Sequence, residues 1–423
     1  MRNPLAGAFR ALGNFNFRLW TAGGLVSNIG TWMQRVAQDW IVLTQLTHHD
    51  ATAVGIVTGL QFAPQMLLLP WSGLAADRFN QRKFLMLTQA SMGALATALG
   101  ILTISGYVRL WHVYVFAFVF GAAAALDAPV RQTFVGELVG DEHLPNAVAL
   151  NSTSFFAAQM IGPAVAGLVI AKIGTGWAFL LNGLSFGAVL LSMYLLRVQE
   201  LRTNARASRA PGGFIEGLRY VWARPDLRSI LVMLFLIGTF GFNFPVFIST
   251  MAVNVFHTDA RGFGLLSSIM AIGTMTAALL AAGRGTPKFG TLLLGTGVFG
   301  IACTLAALSP GYWWFAAALA VIGVAALTFT ISTNSMMQLS TRPTMRGRVM
   351  AIRVGVGLGG TSIGAPIVGW VASHFGPRWS LGLGAASGFA AAIVALCVMG
   401  RRIPPAGQSE LAESWHSRDA PSS

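Results

Sequence analysis

Long uncharged runs, separated by short charged segments, dominate the pattern of this chain. A membrane-spanning helix needs about 20 apolar residues, and twelve runs come close to that length or exceed it. The first run is unusual because Arg35 and Asp39 lie inside it, and the ninth and tenth runs are divided at the turn signal Ser309-Pro310-Gly311. The predicted spans are Leu19–Leu46, Ala51–Ala76, Phe84–Val108, Leu110–Leu126, Leu144–Ala171, Ile173–Leu196, Ser229–Val253, Gly262–Gly283, Phe289–Leu308, Tyr312–Leu339, Val349–Ala372 and Trp379–Met399.

This pattern predicts an all-α membrane protein with twelve transmembrane helices in two six-helix halves. The halves are predicted at 19–196 and 229–399, joined by a polar cytoplasmic linker at 197–228. Residues 1–18 are predicted to form a cytoplasmic N-terminus without a cleavable signal peptide, and residues 400–423 a disordered cytoplasmic tail. The composition agrees, because only 10% of the residues are charged, against roughly 25% in soluble domains.

The distribution of basic residues predicts the orientation in the membrane. With both termini inside, the cytoplasmic segments hold 22 Lys and Arg and the external loops hold four, as the positive-inside rule requires. The net charge of +14 therefore reflects topology, and we expect no nucleic-acid partner because the basic residues lie in short clusters between apolar runs. The two cysteines both lie in apolar runs and predict neither a disulfide framework nor a metal site.

Two sets of residues recur at constant spacing, which indicates a parallel internal repeat. The tryptophan and the loop matches carry more weight than the glycines, because the chain has 49 glycines. At a spacing of 202 the pairs are Gly162 and Gly364, Gly167 and Gly369, Gly174 and Gly376, and Trp177 and Trp379. At a spacing of 209 they are His48 and His257, Asp50 and Asp259, and Gly55 and Gly264.

The loop Gly73–Lys83 concentrates charge between the second and third spans, where Asn80 tolerates the left-handed conformation of a tight turn. It resembles the G-x-x-x-D-R-x-G-R-R signature of the major facilitator superfamily. The matching residues are Gly73, Asp77, Arg78 and Arg82. The resemblance implies two pseudo-symmetric six-helix halves and a conformational latch on the cytoplasmic side. Asn80 and Gln81 depart from the signature, and a charged turn that only anchors two helices is the alternative.

One further stretch resembles an antiporter motif, and two others resemble the branch of the superfamily that contains enterobactin-type exporters. Gly162-Pro163 to Gly167 is similar to the end of a motif associated with antiporters, although small residues also serve ordinary helix packing. Gly30–Trp40 is similar to the first helix of the branch, and Arg346–Ala351 to the entry to its eleventh. The resemblance implies a multi-pass protein of the bacterial inner membrane.

The first span carries a polar stripe, because Asn28, Thr31, Arg35 and Asp39 are spaced to share one helical face. Gln34 and Gln38 flank this stripe. An ionisable residue inside a span costs about 3 kcal/mol on insertion scales, so the stripe predicts a cavity in which Asp39 exchanges a proton beside Arg35. A purely structural Arg35–Asp39 ion pair, one helical turn apart, is the alternative.

The fourth span ends in a second pair, Asp127 and Arg131, at the cytoplasmic side, which suits a gate or latch. In the superfamily, helices one, four, seven and ten line the cavity, so the resemblance adds Asn243, Thr330 and Asn334 as cavity residues. The adjacent histidines at 48 and 49 are weak signals for a metal site. No nucleotide-binding loop, catalytic constellation, metal site or cofactor is expected.

Together these features predict a secondary transporter and not an enzyme. The preferred function is proton-coupled export of an amphipathic small molecule, a drug or a siderophore-like metabolite, by alternating access. The expected partners are that substrate, protons and the bilayer, and the expected state is a monomer. An importer or proton symporter on the same fold is the first alternative, and a non-transporting membrane partner or sensor is a remote one.

Overall fold

The computed structural model describes residues 9–68, 80–140, 142–202, 214–282, 287 and 289–402. Within these ranges the chain is nearly all helical. The helices are α1 Phe15–Ile41, α2 Ala51–Leu67, α3 Gln81–Ile104, α4 Leu110–Leu138, α5 Leu144–Ile173, α6 Thr175–Tyr194, α7 Phe214–Ala223, α8 Pro225–Leu236, α9 Phe244–Thr250, α10 Ala260–Ala282, α11 Phe289–Ala307, α12 Tyr312–Leu339, α13 Arg346–Phe375 and α14 Pro377–Arg402.

Ten helical segments in the described part of the chain are long and apolar enough to cross a membrane. One of them, Pro225–Val255, combines α8 and α9 with two π-helical turns. The other nine are α3 to α6 and α10 to α14. Helices α1 and α2 fall outside this set, since α1 carries the polar stripe and α2 has 17 residues. The length and apolar composition of these helices therefore mark a multi-pass membrane protein.

Short polar side chains start several of these helices. Asn14 accepts a hydrogen bond from the amide of Phe17, and Asp50 from the amide of Thr52. Asn80 caps α3 in the same way, with φ −65° and ψ 113°, and accepts from the amide of Lys83 at 3.1 Å. The prediction of a left-handed Asn80 is therefore wrong, because the residue begins a helix instead of closing a turn.

The spacing of 209 recurs in the backbone itself. A π-helical turn at Val42–Leu46 follows α1, and an equivalent turn at Met251–Val255 follows α9. The amide of Thr47 donates to the carbonyl of Val42 at 3.1 Å, and the amide of Phe256 donates to that of Met251 at 2.9 Å. A histidine with positive φ follows each turn, 62° at position 49 and 48° at position 257, although these two positions are 208 apart.

The spacing of 202 marks the tight connections late in each half of the chain. Gly174 alone joins α5 to α6, and Gly376 alone joins α13 to α14. Their φ values are 98° and 102°, a region that residues with a Cβ rarely adopt. Glycine at both positions therefore permits an abrupt reversal of the chain without strain.

The same helix pairs pack together in both parts of the chain. Helix α2 packs on α4 as α10 packs on α12, and α3 packs on α4 and α6 as α11 packs on α12 and α14. Helix α1 contacts α5 and α6, while the turn after α8 contacts α13 and α14. Two further pairs, α2 with α13 and α5 with α10, join the N-terminal helices α1–α6 to the C-terminal helices α8–α14.

The predicted linker at 197–228 contains structure that its polar composition did not reveal. A short 3-10 turn lies at Val198–Glu200, and α7 occupies Phe214–Ala223. Helix α8 then begins at Pro225, four residues before the predicted start of the span. Proline at the first helical position explains the earlier start, because its missing amide hydrogen is not needed there.

Candidate functional site

The polar stripe of α1 lies inside the N-terminal group of helices. Gln38 and Asp39 are buried, while Asn28, Thr31 and Arg35 are half-buried. The hydroxyl of Thr31 donates to the carbonyl of Ser27 at 2.9 Å. The stripe therefore combines carboxylate, amide and hydroxyl groups on a helix that packs between α5 and α6.

Gln34, which flanks the stripe, forms a hydrogen bond to a neighbouring helix. Its side-chain oxygen accepts a 2.5 Å hydrogen bond from the amide of Asn182 in α6. A Cβ at Gly30 would strike the side chains of Asn182 and Ser185. Gln34 therefore belongs to the close contact between α1 and α6.

Arg35 and Asp39 form no ion pair within 4 Å in the described part of the chain, although they are one turn apart. The guanidinium carbon of Arg35 lies 4.6 Å from the ring centroid of Trp32 and 5.8 Å from that of Phe62 in α2. Its Nε is buried without a hydrogen-bond partner. The guanidinium of Arg35 therefore packs against two aromatic faces without a direct contact to Asp39, and the structural pairing of the two charges stays an alternative.

The second predicted pair is fully bonded within the N-terminal helices. The Nε of Arg131 donates to one oxygen of Asp127 at 2.8 Å. The other oxygen accepts from the hydroxyl of Thr88 at 2.7 Å and from the amide of Gln89 at 2.8 Å, both in α3. Arg131 also lies 5.8 Å from the ring of Trp20 in α1. This cluster therefore braces α1, α3 and α4 against one another.

Sequence reasoning did not assign Thr88 or Gln89 to this cluster. Two adjacent polar residues within an otherwise apolar run were the available signal. Their position opposite Asp127 depends on the packing of α3 on α4, which the sequence does not specify.

The structure describes the signature loop only from Asn80 onward. Arg82 donates from Nε to the carbonyl of Met193 at 2.9 Å and from Nη2 to that of Tyr194 at 3.4 Å, at the end of α6. A cation suits this place because the final carbonyls of a helix carry partial negative charge. Gly73, Asp77 and Arg78 lie outside the described residues.

The Gly-Pro motif in α5 contacts two different helices. A Cβ on Gly162 would strike Trp32 in α1. The carbonyl of Pro163 faces Gly264 in α10, and Gly167 faces Ala260 at the start of the same helix. The motif therefore joins α5 both to its own group of helices and to the C-terminal group.

The repeat supplies a second contact of the same kind. In α13, the carbonyl of Ala365 faces Gly55 of α2, and Gly369 faces Ala51. Ala365 follows Pro163 by 202 residues, and Gly264 follows Gly55 by 209. The α5–α10 and α2–α13 contacts are therefore equivalent, with a glycine against a backbone carbonyl in each.

A polar cluster closes the α2–α13 contact at one end. The hydroxyl of Ser373 donates to a carboxylate oxygen of Asp50 at 2.7 Å and accepts from the amide of Thr52 at 3.0 Å. Burial raises the pKa of Asp50, but hydrogen bonds from Ser373, Thr52 and Ala53 outweigh it, so the pKa lies below its ordinary value of 3.8. Nearby, the rings of Trp40 and Phe263 stack with centroids 6.1 Å apart.

Asn243 lies where the helix of the seventh predicted span is interrupted between α8 and α9. It is fully buried, and its amide donates to the carbonyl of Thr239 at 2.7 Å. Among the described residues, neither its side-chain oxygen nor the hydroxyl of Thr239 has a hydrogen-bond partner. Pro245 in the first turn of α9 explains why the helix restarts here.

In α12, Thr330 and Asn334 are half-buried. The carbonyl of Thr330 accepts from Nη2 of Arg353 in α13 at 2.9 Å, and the hydroxyl of Thr333 lies 3.3 Å from the same nitrogen. The Nε of Arg353 is buried without a partner. Sequence reasoning missed Arg353, although a lone arginine in an uncharged run was the signal.

Two groups of helices that repeat the same packing, with ten described segments able to cross a membrane, form the architecture of a multi-pass membrane protein. The model of the family described as transmembrane secretion effector matches residues 6–421. The chain therefore belongs to the transmembrane secretion effector family, and its expected place in the exporter branch of the major facilitator superfamily is confirmed.

Curated relatives carry transporter names. The staphyloferrin A transporter of Staphylococcus aureus is 27% identical over 60% of this chain and 63% of its own length, slightly less than two thirds. The enterobactin exporter of Shigella flexneri is 24% identical over 85% of both chains. The multidrug efflux pump Tap of Mycolicibacterium fortuitum is 24% identical over 83% of this chain and 88% of its own length.

Solved structures share the fold. A bacterial homologue of the human lysosomal transporter Spinster, in an inward-facing and unoccupied conformation, covers 93% of this chain and 98% of its own at a TM-score of 0.72 and 16% identity. A bacterial homologue of the iron transporter ferroportin, in an inward-facing state, covers 90% and 98% at a TM-score of 0.68 and 14% identity. At these identities the likeness concerns the fold alone.

Proposed function

We propose that this protein is a proton-coupled exporter of amphipathic small molecules, drugs or siderophore-like metabolites, in the bacterial inner membrane. It works as a monomer, in which two six-helix halves alternate in opening to the two sides. Family membership supports transport, and the names of the enterobactin exporter and the multidrug efflux pump support export.

Helices α1 and α2 complete the twelve spans. Helix α1 packs on α5 and α6, α2 packs on α4 and on α13, and their counterparts in the repeat are the segment α8–α9 and helix α10. Both termini lie in the cytoplasm, which the 22 to four distribution of Lys and Arg supports. Asp50 and Ser373 then lie on the external side.

The described conformation is closed toward the outside. Contacts between the halves include the ends of α2, α5, α10 and α13 that carry Asp50, Gly167, Ala260 and Ser373, and the hydrogen bonds of Asp50 and Thr52 to Ser373 lie at that end. In this state the substrate enters from the cytoplasm.

Asp39 is the proton carrier in this proposal. The observation that supports this assignment is that its carboxylate has no direct bonding partner in the described chain. It is a buried carboxylate in a span, and the described chain offers it neither an ion pair nor a hydrogen-bond donor. Arg35 acts on it through charge without binding it directly. A carboxylate free of structural partners can gain and lose a proton without breaking the fold.

The substrate contacts are assigned to polar groups on three spans. Asn28, Thr31 and Gln38 contribute from α1, and Thr330 and Asn334 from α12. Asn243 belongs to the same set, because its side-chain oxygen at the helix interruption has no partner among the described residues and is available to accept a hydrogen bond. Mixed apolar and polar walls of this kind suit amphipathic ligands.

The cytoplasmic latch consists of the signature loop and its base. Arg82, Asp127 and Arg131 hold α3, α4 and α6 together, and Gly73, Asp77 and Arg78 of the signature loop, which lie outside the described residues, are assigned to the latch by their match to the signature alone. The bonds of Arg82 and Asp127 stay within one half, so they provide a rigid base. Contact with the other half is assigned to the loop itself.

Inverted membrane vesicles test the proposal. Respiration acidifies their lumen, so an exporter accumulates substrate inside while protons leave. A panel of lipophilic cationic dyes and metal-free catecholate and hydroxycarboxylate siderophores is the substrate set. Accumulation that stops when nigericin collapses the pH gradient supports the proposal, whereas accumulation indifferent to nigericin contradicts proton coupling.

The same vesicles distinguish export from import. An importer or proton symporter would release preloaded substrate from inverted vesicles as protons leave, because both fluxes then run in the same direction. Vesicles that carry Asp39→Asn are the matched control, since they contain the same protein without the assigned proton carrier.

A further inference from the structure

Helix α7, Phe214–Ala223, presents one strongly apolar and exposed edge. Ile215, Leu218 and Trp222 are 72%, 39% and 58% exposed. Spacings of three and four residues place their side chains on one side of the helix. Soluble surfaces rarely group three large apolar side chains in this way, so the edge requires an apolar environment.

The neighbouring face of α7 is fixed to the protein. Val221 is fully buried, and Gly217 lies against Arg348 and Ile352 of α13. Glu216 pairs with Arg348 at 3.0 Å. Helix α7 is therefore held in one orientation, and its exposed edge is a defined surface.

The position of α7 limits what can cover that edge. Only Arg224 separates α7 from Pro225, the first residue of α8, and α8 belongs to a membrane-crossing segment. One residue spans less than about 4 Å, so α7 lies at the end of a span. Along α8 the exposed side chains of Val232 and Phe235 continue the apolar surface toward the bilayer.

Basic residues flank the apolar edge. Arg219 is exposed on the side of α7 next to Ile215, and Arg228 lies in the first turn of α8. Neither has an ion-pair partner in the described part of the chain, whereas Arg224 is bound to Asp226 at 2.7 Å. An amphipathic helix with free arginines at its polar edge suits anionic lipid headgroups.

We propose that α7 lies in the bilayer interface, inserts Ile215, Leu218 and Trp222 among the lipid chains, and binds anionic phospholipid headgroups through Arg219 and Arg228. The proposed topology enters only in naming the leaflet as cytoplasmic. Because α7 packs against Arg348 and Ile352 and pairs with Arg348 through Glu216, lipid bound here restrains the start of α13. Nothing in the transport proposal requires this contact.

Fluorescence quenching in liposomes tests the insertion. The full chain carries Cys397→Ser to remove the exposed cysteine, and a single environment-sensitive label is attached through Ile215→Cys or Leu218→Cys; Cys303 is buried and remains. Glu200→Cys, exposed on the same side of the predicted membrane, is the matched control. The quenchers are phosphatidylcholine with brominated chains and aqueous iodide.

Labels at positions 215 and 218 are expected to lose most of their fluorescence to brominated lipid and little to iodide, with the reverse at position 200. Equal iodide quenching at all three positions would overturn the proposal. Protection from both quenchers would also overturn it, because another part of this chain or a second copy would then cover the edge. Failure of transport in vesicles leaves this result unaffected, since quenching reports lipid contact alone.

A second comparison tests the charge. Adding phosphatidylglycerol to the liposomes is expected to raise brominated-lipid quenching at position 218, and high salt is expected to cancel the gain. Arg219→Gln with Arg228→Gln should abolish the gain while the label stays protected from iodide. An undiminished gain in this double variant would overturn the headgroup assignment.

Discussion

Ser373, in the last turn of α13, donates a 2.7 Å hydrogen bond to Asp50, the N-cap of α2, although 323 positions separate them in the chain. Thr52 completes the cluster through its amide and hydroxyl, 3.0 Å and 3.1 Å from the Ser373 oxygen. These polar groups lie directly at the end of an otherwise glycine-rich contact between the N-terminal and C-terminal helices.

Ser373→Ala is expected to weaken the closed arrangement at this end. Loss of one hydrogen bond costs about 1 kcal/mol, which corresponds to about a fivefold shift toward the open form. Spin labels at His48 and Arg378, one on each group of helices, should show longer distances. Asp259→Asn is the control, because Asp259 bonds Gly262 within its own segment at 3.0 Å. An equal shift in both variants would contradict the role of the cluster.

The same labels should respond to external pH. The hydrogen bond from Ser373, which exists only in the closed form, helps to hold the pKa of Asp50 below 3.8, so its contribution to closure is complete above pH 3.8 and disappears as pH falls through the lowered pKa. Acidification below pH 3.8 is therefore expected to lengthen the distances. Asp50→Asn should remove this response; a transition near neutral pH, or one that survives in Asp50→Asn, would argue against the assignment.

Gly55→Ala is expected to separate α2 from α13. The added methyl group would meet the carbonyl of Ala365, a backbone group that cannot rotate away. Overpacking of this kind costs about 1–3 kcal/mol, and transport should fall severalfold. Gly187→Ala in α6 is the matched control, since no atom lies within 4 Å of the new methyl group. Equal transport by the two variants would show that the contact tolerates a side chain.

Asp39→Asn is expected to abolish proton-driven transport while the protein still folds. Asparagine keeps the shape of the side chain but takes up no proton, and Arg35 loses no direct bond because the two residues are not paired. Substrate flux driven by a pH jump in liposomes is the measurement. Asp39→Glu should restore part of the flux. Loss of folded Asp39→Asn protein would instead show a structural role.

Asp127→Asn is expected to lower the thermal stability. It removes the charge that Arg131 contacts at 2.8 Å, and breaking a buried pair costs about 3–5 kcal/mol. Arg197→Gln is the control, because the Arg197–Glu200 pair is exposed and worth less than about 1 kcal/mol. Unfolding of detergent-purified protein, followed by size-exclusion chromatography after heating, is the measurement. Unchanged stability with lost transport would favour a gating role for Asp127 itself.

Apolar run lengths predicted most of the helices, and they placed the end of the fourth one too early. The fourth span was predicted to end at Leu126, yet α4 continues to Leu138. The predicted boundary fell before Asp127 because an isolated carboxylate is costly in a membrane. Thr88, Gln89 and Arg131 satisfy that carboxylate in the structure, so the helix runs past it.

Contacts between segments far apart in the chain could not be predicted from the sequence. The repeat identified Gly55 and Gly264 as equivalent, but only the structure pairs them with the carbonyls of Ala365 and Pro163. Arg353 bonds α12 through a position that no motif marks. Helix α7 was hidden because a polar, arginine-rich stretch is also typical of a linker, and its apolar residues are too few to suggest a span.

The contacts of Gly55 and Gly264 with backbone carbonyls affect how the molecule moves. No side chains interlock at these two points, so separating the helices requires no change of rotamer and leaves few specific bonds to break. Opening and closing at such surfaces therefore require little rearrangement of side chains. The hydrogen bonds among Asp50, Thr52 and Ser373 then hold the two groups of helices together at this end. The rate of opening depends on this small polar cluster more than on the long helical contact beside it.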